Sequence, residues 1–567
     1  LFAEAARRMT VTGDWITPYF DGATRFDKPP LVYWIMAIAY QTIGVNEWSV
    51  RFPSALAATG ITALGFYTLL RFGYASPGNA PSLDSQPKSA PLPSSAQRWI
   101  SACIGSAMIA LNPQTIVWAR TGVSDALLLG CMGSCLLAFF LGYAQPEQPK
   151  VQQRWYLAFY VLSALAVLTK GPVGIVIPGL IILAFLSYVG NLRPVLQEMR
   201  LLRGGLLFAA IAIPWFVLVI HANGEAYINA FFGYHNLERF TQVVNHHSAP
   251  WFFYFLVVPI GFSPWSVYLP IAIARLRFWQ RRHWQQQPRS AHLGLFAFIW
   301  FVVVFVFFTI AVTKLPSYTI PLLPAAAIMT TLFWSDQMTR TTLFWSDQMT
   351  RAQNQRTGWN KGVWISHLVN GFMLAGLTGV TLYCTHWMGD DPEMPDLPEL
   401  LEQSGLLVVG SVIWGIAAIA VLILLLRRQG RWLWSVNFIS FVAFVLLALM
   451  PATLLMDSQR QLPLRQMAAT IVQVQQPAEP VVMVGFAKPS LVFYTQRSVI
   501  YVEELETVPQ RLQKIANQTP KPPSILVIGR TRKLDKAGLL DLNQYSPEVI
   551  AKAAVYQLLR INLPLKP

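Results

Sequence analysis

Charge is what this sequence has least of. Only 12% of its 567 residues are Asp, Glu, Lys or Arg, while 54% are hydrophobic; a soluble domain carries about 25% charged residues. That balance excludes an ordinary soluble globular chain. Cysteine is scarce too: there are four, Cys103, Cys131, Cys135 and Cys384, three of them inside apolar runs, so no disulfide framework or redox compartment can be read from them. Cys131 and Cys135 stand one helical turn apart, a spacing open to a thiol pair or metal ligands, but small packing residues in a helix are the expectation. P-loop and glycine-rich phosphate motifs are missing. So are a signal peptide and an initiating Met: residue 1 is Leu, and Leu1–Met9 reads as a helix already in progress with no capping residue before it. The expectation is a chain that lacks its beginning.

What is present is apolar sequence in long runs. Stretches near 53–72, 98–118, 126–143, 155–169, 172–190, 205–220, 251–274, 292–312, 316–333, 363–384, 405–426 and 432–451 approach the roughly 17–25 residues a spanning helix needs. A polytopic α-helical membrane protein with about twelve spans is expected, thirteen in the intact protein. The net charge of +16 raises nucleic acid as a partner, but its distribution argues against one. Arg and Lys gather in alternate loops: 71–98, 150–154, 193–203, 275–282, 340–361 and 427–431. The positive-inside rule makes these cytoplasmic, so that 1–52, 119–125, 221–250, 313–315 and the acidic 389–402 lie outside, together with the C-terminal tail.

Taken in order, the chain is organised around Thr24–Trp34 (TRFDKPPLVYW), which precedes the first long apolar run. It sets Asp27 beside Lys28 and then stops local helix with Pro29 and Pro30. Trp15, Tyr19, Phe20, Tyr33 and Trp34 supply the aromatics that favour a bilayer interface. The expectation is a loop and surface helix at headgroup depth, facing a charged lipid. Residues 73–97 are rich in Pro, Ser and Gly and read as a mobile cytoplasmic linker. An 11-residue tandem repeat, Thr330–Arg340 and Thr341–Arg351, adds about three helical turns, which a helix can absorb nearly in register. Past Met456 hydropathy drops, and 480–486, 498–502, 524–529 and 553–559 read as strands with a helix over 508–518. The predicted organisation is a transmembrane domain over 1–456 and a small extracytoplasmic α/β domain over 457–567.

This topology gathers Asp27, Lys28, Asp125, Lys170, His221, His235, Glu238, Arg239, His246, His247 and Lys314 at or near the outer side. Charged groups near helix ends tend to line aqueous cavities or meet headgroups. Asp125 opens an apolar helix, either as a first-turn carboxylate on the helix dipole or as an acid at the cavity mouth. Lys170, in Lys170-Gly-Pro172, is a helix-end cation or a phosphate contact. His235 and Arg239, four apart, share one helix face and can address one ligand; a solvated interfacial loop explains them as well. A tight turn accounts for Pro316 but not for Lys314 followed by the hydroxyls of Ser317 and Tyr318.

The ordered series Ala3–Met9, Gly13-Asp-Trp, Phe26–Trp34, Arg51-Phe-Pro-Ser, Ser124-Asp125, Thr169–Pro172, His235–Phe240, Ala249-Pro-Trp251 and Lys314–Tyr318 resembles the polyprenyl-phosphate-dependent membrane glycosyltransferases of the GT-C fold, namely the aminoarabinose transferases and the protein O-mannosyltransferase superfamily. The resemblance implies that Lys28, Arg239 and Tyr318, with Lys314, hold a lipid phosphate. It implies that Asp27 and His235 hold a divalent cation, zinc, with Asp27 shorter than the Glu of close relatives. It makes Asp125 the second acid of the active site; the principal catalytic Asp belongs upstream of Leu1, and without it the chain is expected to be inactive. The implied function is transfer of a sugar from an undecaprenyl-type phosphate to an extracytoplasmic hydroxyl or phosphate on a lipid, glycan or protein, by single displacement in a bacterial inner or plasma membrane. That chemistry uses no nucleotide, in keeping with the missing P-loop, and no nucleic acid. The rivals are a lipid or solute transporter, against which the charges at loop boundaries and the lack of inverted repeats speak, and a non-catalytic paralogue.

Overall fold

A computed structural model describes residues 1–73, 95–238, 241, 248–348, 361–427, 429, 432–541, 545 and 547–563, with the side chains of 236, 237, 338–348 and 361 left out. The linker expected over 73–97, apart from its ends, and His246 and His247 lie outside the described residues. The chain is mostly helical. Among the described residues eight helices are long and apolar enough to cross a membrane, or nine if the bent pair Phe253–Gly261 and Trp265–Arg275 forms one span. The count falls short of twelve for a geometric reason. Ser95–Ala110 and Val173–Val189 are helices of 16 and 17 residues, about 24–26 Å long against a hydrocarbon core of about 30 Å. Pro149–Lys170 is long enough but carries Lys150, Arg154 and Lys170.

Two runs that read as continuous spans are broken. The run at 98–118 stops at Ala110; Asn112 then caps a second helix, Pro113–Trp118, its side chain accepting the Thr115 N–H at 2.9 Å. The run at 251–274 turns by 111° around Ser263 and Pro264, where proline removes a ladder hydrogen bond. Helix Leu323–Gln348 runs unbroken through both copies of the tandem repeat as far as it is described.

The centre of the membrane part is helix Ser124–Tyr143, buried over its whole apolar window and packed on Glu47–Phe72 and Pro149–Lys170. Close approach depends on small residues: a Cβ on Gly130 would come within 2.5 Å of Ala57 Cβ and 2.8 Å of Ala57 Cα. Cys131 and Cys135 are free thiols buried in this helix, which makes them packing residues.

The C-terminal sheet follows a helical stretch that runs on to Val474, so the division at 456/457 falls inside helix Met450–Arg460. After a two-residue pair near the N-terminus, β1 (Tyr19–Phe20) with β2 (Ala23–Thr24), come β3 (Val481–Val484), β4 (Val499–Val502), β5 (Ser524–Arg530), β6 (Glu548–Ala553) and β7 (Tyr556–Asn562). Their order is β4-β3-β5-β7-β6, with β4, β3 and β5 parallel and β7 antiparallel to both β5 and β6. Successive residues of β3 alternate between two cores: Val482 and Val484 face helix Val508–Ala516, while Val481 and Met483 face helices Leu462–Val474 and Pro489–Thr495. Burial on both faces gives a continuous apolar run. The strand expected over 553–559 in fact straddles the β6–β7 turn at Ala554, where φ is 49°; β6 is an edge strand with no buried residue, so it lacks the apolar signal.

This sheet rests on the N-terminal segment. Helix Phe2–Thr12 touches helix Pro489–Thr495, the Tyr40 and Phe493 rings lie 6.5 Å apart, and the Tyr494 hydroxyl donates to Glu47 Oε1 at 3.2 Å.

Candidate functional site

The loop carrying Asp27 and Lys28 is held by apolar packing and three hydrogen bonds. Phe26 is buried in a cluster with Leu168, Trp215 and Tyr227. Trp215 Nε1 donates to the Ile16 carbonyl at 3.1 Å, Trp34 Nε1 to the Trp15 carbonyl at 2.8 Å, and Asn223 Nδ2 to Thr17 Oγ1 at 2.9 Å. Helices Leu31–Ile43 and Leu201–Tyr227 therefore grip the loop from two sides.

Asp125 is the meeting point of the cluster. It lies in the first turn of Ser124–Tyr143, and Lys170, at the end of Pro149–Lys170, sets its ammonium 2.6 Å from Asp125 Oδ1 with both side chains less than a fifth exposed. Ser317 and Lys28 both lie near enough to act on the same carboxylate. The Lys170 ammonium also lies 5.2 Å from the centre of the Tyr318 ring, close enough for a cation–π contact. Thus Lys28, Asp125, Lys170, Ser317 and Tyr318, from four separate stretches of sequence, share one site. Segment 313–322 is fixed there by Gln114, whose Nε2 donates to the Pro316 carbonyl at 3.2 Å and to Thr319 Oγ1 at 3.1 Å.

Two expected site residues have other employment. Lys314 is buried, and its ammonium donates to the carbonyls of Thr309 and Ala311 at 3.0 and 2.5 Å. It caps the C-terminal end of helix Leu293–Ile310, where a cation satisfies orphan carbonyls and meets the negative end of the helix dipole. Asp27 receives Arg25 Nη2 on Oδ2 at 2.6 Å and the Tyr33 hydroxyl on Oδ1 at 3.0 Å. Arg25 in turn lies over the Phe2 ring at 5.0 Å. His235 sits in the helical turn Ile228–Glu238 with its ring 5.0 Å from that of Tyr234. Both Asp27 oxygens are engaged, one by a cation, and among the described residues no three His, Cys, Asp or Glu side chains converge as metal ligands. The Asp27–His235 pair does not fit a divalent cation in this arrangement. Arg239 lies outside the described residues. Sequence reasoning overlooked Arg25; its signal was a basic residue two positions before the acid in the same loop.

A cluster of this kind, with two ammonium groups around a carboxylate beside hydroxyls, can neutralise a phosphate and take a proton nearby. Comparison with known proteins gives it a frame. The crystal structure of ArnT from Cupriavidus metallidurans bound to undecaprenyl phosphate superposes with a TM-score of 0.75 over 99% of this chain and 92% of that one, at 20% identity. The chain has the GT-C fold of the aminoarabinose transferases. It is a multi-pass membrane protein. Two family models match parts of this GT-C chain: dolichyl-phosphate-mannose-protein mannosyltransferase over 27–79, and the C-terminal domain of cyanobacterial RgtA-type glycosyltransferases over 474–566. Proteins named undecaprenyl phosphate-alpha-4-amino-4-deoxy-L-arabinose arabinosyl transferase are 28% identical over 336 residues in Shewanella sediminis and 27% over 347 in Pseudomonas fluorescens, covering 58% and 59% of this chain. The chain spans about half the length of the curated relatives it matches, 53% in both cases.

Proposed function

We propose that this protein transfers a sugar from a polyprenyl-phosphate donor to a hydroxyl or phosphate on an extracytoplasmic lipid, glycan or protein. The observation that carries the reading is the Asp125–Lys170 pair, with Lys28, Ser317 and Tyr318 around it, inside a GT-C fold. In such a donor the lipid phosphate is already a leaving group. The acceptor oxygen forms a bond to the anomeric carbon, the bond from that carbon to the phosphate oxygen breaks, and the electron pair leaves on the lipid phosphate with inversion. Lys28 and Lys170 face the growing charge on the departing oxygens, which preorganised cations stabilise at a partly buried site. Asp125 accepts the acceptor's proton, while Lys170 and Ser317 orient its carboxylate.

The relatives' names and the undecaprenyl phosphate bound in the Cupriavidus structure support this donor class. The distribution of Arg and Lys among the loops supports an outward-facing site, which a C-terminal alkaline phosphatase fusion tests by being active. The deciding experiment incubates membranes holding the full-length protein with radiolabelled polyprenyl-phosphate sugars beside a Lys28→Ala control. Lysine-dependent release of lipid phosphate with a labelled product supports the transferase. Failure of hexose, pentose and aminosugar donors alike would overturn it.

A further inference from the structure

We propose that a second site, at the carboxyl ends of β3 and β5 and covered by Glu393, binds a phosphate or phosphate monoester group. The inference is independent of the sugar-transfer reading. Strands β4 and β5 flank β3, and their connecting helices Pro489–Thr495 and Val508–Ala516 lie on opposite faces of the sheet. The crevice beyond the carboxyl ends, where the winding reverses, is where open α/β sheets bind ligands. Here it is lined with cations. Lys488 follows β3 and Arg530 ends β5, and Arg460 reaches in from helix Met450–Arg460.

All three converge on Glu393, whose residue is 8% exposed. The Lys488 ammonium lies 2.7 Å from Glu393 Oε1, Arg530 Nη2 3.0 Å from the same oxygen, and Arg460 Nε 3.2 Å from Oε2. Glu393 is their one ion-pair partner among the described residues, so three positive charges meet a single carboxylate. Two donors there remain unspent. Arg530 Nε and the hydroxyl of Tyr556, the latter 1% exposed, are buried without a hydrogen bond of good geometry; the hydroxyl lies beside the Arg530 guanidinium and within the electrostatic reach of Glu393 and Arg460. Buried donors left unmade are costly and call for an explanation. The Arg530 guanidinium carbon lies 4.6 Å from the centre of the Phe486 ring, and the planar fork of an arginine suits phosphate geometry.

An excess of two positive charges plus spare donors matches a group with two negative charges and three terminal oxygens. A carboxylate, with one charge and two oxygens, fills the site only in part. Glu393 reaches it from the turn after Asp391, whose Oδ1 accepts the Glu393 N–H at 2.8 Å. It acts as a tethered stand-in that a phosphate displaces.

The test uses the full chain in phospholipid-free detergent and reads the thermal unfolding midpoint in inorganic phosphate against chloride at matched ionic strength. A saturable rise is expected that Arg530→Gln abolishes, that Lys28→Ala leaves in place, and that Glu393→Gln brings to half-saturation at about tenfold lower phosphate. Equilibrium dialysis of labelled phosphate against the wild-type and Arg530→Gln proteins gives the same answer should Glu393→Gln not fold. A second arm compares nanodiscs of phosphatidylcholine with nanodiscs containing phosphatidic acid. Arg530-dependent capture of phosphatidic acid that outcompetes free phosphate identifies a lipid headgroup as the source; the reverse order identifies a soluble one. Absence of any Arg530-dependent effect in both arms, or phosphate binding no tighter in Glu393→Gln than in wild type, overturns the proposal and leaves Glu393 a clamp between domains.

Discussion

Replacing Lys170 with Met keeps an unbranched apolar stem of similar length and deletes only the ammonium 2.6 Å from Asp125. The two side chains are 16% and 17% exposed, so bulk solvent screens the pair weakly. Removing one partner of such a pair leaves a partly buried carboxylate uncompensated, a loss of about 2–5 kcal/mol. If the same ammonium also faces the departing phosphate, the chemical step loses a preorganised stabiliser, typically about 10²–10³-fold in kcat. The two effects separate experimentally. Initial rates with radiolabelled polyprenyl-phosphate sugars, taken on monodisperse protein, report the step; the unfolding midpoint reports the fold. Lys170→Met is expected to lower kcat by about 10²-fold, and Lys170→Arg to fall between the two, since its charge is kept while the point geometry is not. In Asp125→Asn/Lys170→Met both charges are gone, so stability returns toward wild type while turnover does not. A kcat in Lys170→Met within threefold of wild type would refute the assignment and reduce the pair to a structural bridge.

Glu479 is 2% exposed and takes Arg560 Nε at 2.9 Å and the Ser524 hydroxyl; Glu479→Gln leaves Arg560 unmatched and should cost about 3 kcal/mol or more by denaturant unfolding. Burial alone would raise the carboxyls of Glu393 and Glu479, but Lys488, Arg460 and Arg530 at the first, and Arg560, Ser524 and the Gln476 N–H at the second, outweigh it and hold both below their ordinary value of 4.5. The unfolded chain then binds more protons at low pH, so this stabilisation is full above about pH 4.5 and drains away as pH falls toward the depressed values; an acid titration followed by near-ultraviolet circular dichroism should show the tertiary signal failing below that point, and a signal unchanged down to pH 2 would contradict it. Gly130→Leu drives a side chain into the backbone of helix Glu47–Phe72, with an expected loss of about 1–3 kcal/mol, read as a lower unfolding midpoint in detergent. Because both Asp27 oxygens are engaged by Arg25 and Tyr33, chelation should leave turnover intact and elemental analysis should find substoichiometric zinc; chelator-sensitive turnover restored by zinc would restore the cation to Asp27 and His235.

Much of this arrangement was legible in the sequence because a bilayer imposes simple rules. Apolar runs become helices, and the loops divide by charge. That division alone brought Asp27, Lys28, Asp125 and Lys170 to one side, and the structure joins three of them around one carboxylate. What was not legible was direction. Lys314 is in the right loop, yet its chain folds back on the carbonyls of Thr309 and Ala311, because a helix end with orphan acceptors is nearer than any ligand. Asp27 sits next to a phosphate-binding candidate but is claimed by Arg25, two residues before it. Hydropathy also cannot tell a span from two short helices: Asn112 and Ser263-Pro264 interrupt apolar runs without lowering their average. The edge strand β6 is invisible for the opposite reason, having no buried residue and half of its residues exposed.

The position of the sheet domain bears on how the site is kept in shape. Helix Phe2–Thr12 lies between helix Leu31–Ile43 and helix Pro489–Thr495, and the Tyr40 hydroxyl donates to the Ala3 carbonyl at 3.0 Å. Phe2, at the start of that helix, stacks on Tyr33 at 5.6 Å and carries the Arg25 guanidinium. Tyr33 and Arg25 are the two groups that fix Asp27, the neighbour of Lys28. A continuous series of contacts, one of them through the Ala3 carbonyl, therefore runs from Phe493 through Tyr40, Ala3, Phe2 and Tyr33 to the loop at the site. Spatial continuity is not coupling, but it makes a definite demand: loosening the far end should disturb Lys28 before it disturbs Lys170, which is anchored to Asp125 from a different helix. Phe493→Ala should therefore raise KM for the lipid-phosphate donor more than it lowers kcat. Equal loss in both would mean that the sheet domain supports the membrane fold as a whole and not this loop in particular.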